Sequence, residues 1–274
     1  MRVSGVRAIM EGTSGKGSAD AFWLARKEMK RAWPSYVLGA SIVLTLGLAA
    51  AVSLSVGVSE FEHFALRHQR TEDFYSAFLA DFLFLLVCAV LGANTLLRYY
   101  THHWRDTFSS KLAFLSTLPI SAGALVGSRV LCKLSVFVLG ALAFFLPVYF
   151  FSGLGEELGT GAYLSFCGVW VGYSLLGAGL WLLLEFGVSG RAYALISYTF
   201  ALTLMVVVTV LEWTAGLSLV ARTAQLAQGG YGAPSSIFSV LAGGAAFVLL
   251  ARASVRHVQK NKPLREPLCV SVDA

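Results

Sequence analysis

Six runs of apolar residues, each about as long as a bilayer is thick when wound as a helix, dominate this chain. They fall at roughly 35–58, 74–97, 130–152, 162–185, 192–211 and 233–253. About 20 predominantly apolar residues suffice for a helix to cross the hydrocarbon core. The runs are continuous and do not alternate every second residue, which argues against barrel strands. The chain is 57% hydrophobic and 13% charged, with a mean hydropathy of +0.70. Soluble domains hold about 45–50% apolar and about 25% charged residues, so a water-soluble core is excluded. The fold class predicted is an all-α integral membrane protein with six transmembrane helices.

Orientation follows from the basic residues, which accumulate on the cytoplasmic side of membrane proteins. With both termini inside, 18 of the 21 Lys and Arg residues are cytoplasmic, and only Arg67, Arg70 and Arg222 lie outside. This predicts a multi-pass protein of the plasma membrane with both ends cytoplasmic. The net charge of +6 then reflects topology and anionic inner-leaflet lipid, and no nucleic-acid partner is expected. The domains predicted are a disordered cytoplasmic tail over 1–20, a six-helix transmembrane domain over 21–256 and a cytoplasmic tail over 257–274. The Gly/Ser-rich start lacks the early apolar core of a secretory signal.

Residues 21–33 read as an amphipathic helix on the membrane surface. Phe22, Ala25, Met29, Ala32 and Trp33 recur at helical spacing, and Arg26, Lys27, Lys30 and Arg31 take the other side; Trp23 belongs to the same membrane-surface helix. Such a helix lies in the interface with its basic side chains among headgroups. Pro34 is expected to let the chain turn into the membrane.

Between the second and third runs, Phe108, Leu112, Leu115 and Leu118 fall on one helical face, with Thr107 and Lys111 in the same stretch. Leu118-Pro119 ends that helix because the residue before proline avoids helical geometry. After Ile120, Ser121 is placed to cap a new helix starting near Ala122. Helix, proline break and capped helix together form an elbow at the membrane surface.

With six spans and a basic amphipathic helix, an elbow written Leu118-Pro119-Ile120-Ser121 and followed by Arg129 resembles the type 2 permease class of ATP-binding-cassette transporters. The upstream acidic-Gly-Thr signature of that class is represented by Asp106-Thr107 without the glycine. The resemblance implies that 107–121 contacts a separate ATPase subunit, which binds ATP and magnesium. It also implies a dimer of permease subunits and export of a substrate from the inner side or inner leaflet. The alternatives are an ATP-independent secondary carrier and an intramembrane hydrolase.

Catalytic chemistry is not written in the chain. The tail's GTSGKGS lacks the spacing of a phosphate loop, HExxH is absent, and every histidine falls in a loop or tail. Cys88, Cys132, Cys167 and Cys269 show no metal-site spacing. No metal or bound cofactor is expected. Within the spans, Asp81 is read as lining a substrate path or pairing with another helix, and Asn94 as a helix–helix donor. Glu185 and Lys133 are expected to reach the interface with their charged ends. Gly168 and Gly172 form a GxxxG that suits close packing within a subunit or between two.

Overall fold

A computed structural model describes residues 4–58, 71–91, 121–188, 190–215 and 218–260. Over these residues the chain forms α1 (Ser4–Val58), α2 (Thr71–Val90), α3 (Ala122–Phe151), α4 (Leu154–Gly187), α5 (Gly190–Ala215), α6 (Leu219–Gln228) and α7 (Gly232–Lys260). The protein is an all-α membrane protein, as its sequence predicts. Five helices (α1, α3, α4, α5 and α7) are long and apolar enough to cross a bilayer. The apolar part of α2, Tyr75–Val90, is shorter. Its predicted continuation to residue 97 lies outside the described residues.

The helices alternate in direction. Cys132 donates its thiol to the Ala25 carbonyl and Gly127 sits against Ala21, so α1 and α3 run parallel. Tyr163 donates to the Phe145 carbonyl at 2.7 Å near one end, and Lys133 meets Glu185 near the other. That makes α3 and α4 antiparallel. Tyr173 donates to the Leu85 carbonyl and Trp181 to that of Ala89, aligning α2 with α4. One end of the bundle therefore holds the α3–α4 turn and α6. The other holds Ser121, Lys133 and Glu185.

An aromatic core fills the α6 end. Phe84 is fully buried, with ring centroids 5.0 Å from Phe144, 5.6 Å from Phe166 and 5.1 Å from Trp170. The first two are edge-to-face pairs, which add about 0.5–1.5 kcal/mol each beyond the burial of area. Trp170 also donates its indole N–H to Thr223 at 3.2 Å, which pins α6 over the core.

One local expectation changes. α1 runs unbroken through Pro34, so the 21–33 segment continues the first span in line and does not turn away from it. After the bend at Gly153, Leu154 is fully buried, and Gly159, at φ 69° and ψ 162°, makes the break before the long helix. A residue with a Cβ is strained at that φ, so glycine fits there. Between α5 and α7 the chain forms the short helix α6, capped by Ser218.

Candidate functional site: a capped elbow end and two buried charge clusters

Residues 107–120 of the elbow, Asn94, and Arg98, Arg105 and Lys111 lie outside the described residues. The far edge of the elbow is described. Ser121 has extended backbone, and its Oγ accepts from the Ala124 N–H at 3.1 Å. This is the cap the sequence predicts, and it fixes where α3 begins. Losing such a cap costs about 1 kcal/mol.

Arg129, the basic residue that follows the elbow pattern, lies eight residues beyond Ser121 on α3. Its guanidinium meets Glu28 of α1 at 3.2 Å and Glu185 of α4 at 3.9 Å. Lys133, a turn later, meets Glu185 at 3.0 Å, with both side chains almost fully buried. Glu185 and Lys133 therefore do not reach for the interface; they pair with each other. The reason is geometric: their helices are antiparallel and put the two charges at the same depth. A paired buried ion avoids the several-kcal/mol penalty that each charge carries alone. The cluster ties three helices together next to the elbow.

The membrane-surface residues present a different face from the one expected. Ala21, Ala25 and Ala32 are the buried stripe, and Met29 is half-buried. Phe22, Trp23, Arg26, Lys27, Lys30, Arg31 and Trp33 are all exposed. Small residues pack on α3 because they let the backbones approach, and the large aromatics point outward. Lys27 lies over the Trp23 ring at 4.9 Å. Rings beside cations suit a headgroup region.

At the opposite end, Asp81 is 1% exposed. Its carboxylate accepts from the Ser218 hydroxyl at 2.9 Å and the Val220 N–H at 2.8 Å, and also from the Leu219 N–H. These are the first amides of α6, which have no partner within their own helix. Ser218 caps the same helix on Ala221. An anion at a helix N-terminus is also favoured by the helix dipole. Asp81 thus pairs with a helix end, and its described oxygens are committed to it. The sequence carried a signal for α6: Ser218 followed by Val220, Ala224 and Ala227 at helical spacing, all three buried.

Asp81→Leu is expected to strand two amides and a hydroxyl, at about 1–3 kcal/mol for each buried donor. Asp81→Asn keeps one carbonyl oxygen but turns an NH2 group toward a donor, so it should fall between wild type and Leu. Thermal unfolding in detergent reads the order wild type, Asn, Leu. Equal stability of all three would remove the capping role.

Gly168 and Gly172 face α7 of the same subunit. A Cβ at Gly172 would fall 2.3 Å from the Ser239 carbonyl oxygen, and one at Gly243 would fall 2.1 Å from that of Gly172. Ser239 donates to the Val169 carbonyl across this contact. The GxxxG stripe is thus used inside the subunit. Among the described residues no group of three or more metal-ligating side chains occurs.

Comparison with protein-family models, curated proteins and solved structures finds no match to this chain. The long apolar helices make this a multi-pass, all-α membrane protein.

Proposed function

We propose that this chain is the transmembrane permease subunit of an ATP-driven transporter of the ATP-binding-cassette kind. It exports a lipid, peptide or hydrophobic compound across the plasma membrane, with both termini cytoplasmic. A separate ATPase subunit binds ATP and magnesium and docks on the 107–121 elbow, and a second permease copy completes the path. No catalytic step is assigned to the chain itself.

The observation that carries this reading is the mechanical continuity beyond the elbow. Ser121 caps α3 directly after Leu118-Pro119-Ile120, and Arg129 links α3 to α1 through Glu28 and to α4 through Glu185. A push on the elbow would thus reach three membrane helices as one unit. The exposed aromatics and cations of 22–33 support placing this end at an anionic inner leaflet.

The test is substitution of the elbow's apolar face. Leu115→Asp or Phe108→Asp puts a charge into a helix-in-groove contact. The expected loss is about 3 kcal/mol, roughly a hundredfold in affinity for the ATPase. Co-purification of the ATPase and substrate-stimulated ATP hydrolysis should fall while the permease still inserts and keeps its thermal transition. Unchanged complex formation in both variants would make the elbow a membrane-surface connector and remove the basis for an ATPase partner.

A further inference from the structure

Four cations crowd one face of α1. Arg26 and Lys30 are four residues apart, as are Lys27 and Arg31 beside them, so the members of each pair are neighbours on the helix surface. All four are exposed. Like charges at this spacing repel and weaken a helix. Glu28, the one acid between Ala21 and Trp33, is turned to Arg129 of α3 at 3.2 Å.

The face is held in place from behind. Ala21, Ala25 and Ala32 are buried on the opposite side of α1, where Gly127 lies against Ala21 and the Cys132 thiol donates to the Ala25 carbonyl. Rings border the cations. Phe22 precedes Arg26 by one turn, and Trp23 precedes Lys27, whose ammonium lies 4.9 Å from the ring centre. Trp33 follows Lys30 by three residues, and all three rings expose more than half of their surface. At the same end α7 carries Arg252, Arg256 and Lys260, again four residues apart and exposed, while Val255 and Val258 join Leu24 of α1 in one apolar cluster.

This surface lies at one end of helices long enough to cross a bilayer. Its occupant must bring anionic oxygens to the cations and apolar surface to the rings. Phosphate accepts paired hydrogen bonds from arginine and point contacts from lysine, and glycerol and upper acyl chains suit exposed indole and phenyl rings. Free phosphate supplies only the first. A zwitterionic lipid returns a cation to a cluster that already repels itself. We propose that residues 22–33 of α1 form a binding site for anionic phospholipid, in the leaflet at the elbow end. Arg26 with Lys30 and Lys27 with Arg31 hold its headgroup oxygens, and Phe22, Trp23 and Trp33 cover its apolar part. The bound lipid relieves the repulsion along α1 and steadies that helix on α3. The site stands whether or not an ATPase docks on the elbow.

Native mass spectrometry tests it on the full chain, released from micelles that hold equal amounts of dioleoylphosphatidylglycerol and dioleoylphosphatidylcholine. Wild type is expected to retain phosphatidylglycerol in preference, and its thermal transition should rise as that lipid is added. Each cation removed should lower the preference about fivefold, in Arg26→Gln, Lys30→Gln and in Lys27→Gln, Arg31→Gln alike. Arg222→Gln, which removes an exposed charge at the opposite end, should leave the preference unchanged. All these changes are at the surface, so an unshifted transition in phosphatidylcholine alone shows that the variants fold. Equal retention of the two lipids by wild type would overturn the proposal. A full preference in both paired variants would overturn it too, by placing the lipid elsewhere. So would displacement of the lipid by sodium phosphate at fixed ionic strength, since the site would then read a free anion.

Discussion

Lys133→Met is expected to destabilise the protein by about 3–5 kcal/mol, the range for removing one partner of a buried ion pair. The substitution leaves Glu185, 2% exposed at its side chain, with the more distant Arg129 at 3.9 Å. The penalty comes from the stranded charge, not from the lost attraction. The double variant Lys133→Met, Glu185→Leu should therefore recover most of the loss. A double-mutant cycle read by unfolding in mixed micelles measures this as a coupling between the two positions. If the single variants cost under about 1 kcal/mol, the range of solvated surface pairs, water reaches this cluster and the buried reading fails.

Gly243→Leu is expected to have an effect of similar size by a different route. A Cβ at this position meets the Gly172 carbonyl oxygen at 2.1 Å, and backbone cannot swing aside as a side-chain tip can. The two helices must separate along the whole contact that also holds Ser236, Ser239 and Phe247. Overpacking typically costs about 1–3 kcal/mol and more where nothing can yield. Leu should reach or exceed the top of that range, and Ala should be measurably destabilising. By contrast, Gly244→Ala, where a Cβ meets nothing within 4 Å, should be neutral or stabilising. Expression yield and the thermal transition of the three variants give the comparison. Normal stability of Gly243→Leu would mean that α4 and α7 are not packed face to face.

What the sequence conveyed follows the range over which each interaction acts. The Ser121 cap was legible because a cap links residues three positions apart and its chemistry is local. The helical class was legible because bilayer thickness sets the length of each run. The partner of Asp81 was not, because it lies 137 residues away and is a helix end without a charge of its own. Glu185 and Lys133 were read separately because only the antiparallel placement of their helices brings them to one depth. Pro34 was read as a turn, yet α1 continues through it; a span in a bilayer has strong reason to keep its other backbone bonds.

The long reach of the Asp81 cap has a consequence for how the chain is made. Asp81 is made with α2, but the amides it will accept from do not exist until Ser218 and its successors are synthesised, 137 residues later. At about 5–20 residues per second that interval is roughly 7–27 s. Throughout it, α2 carries an acid without the cap it will have in the finished fold, and an apolar surrounding tolerates such a group poorly. Completion of α6 removes that liability. A chain that stalls or is cut before Leu219 keeps an uncapped acid in α2, and this distinguishes an unfinished copy from a finished one before the last helix is in place.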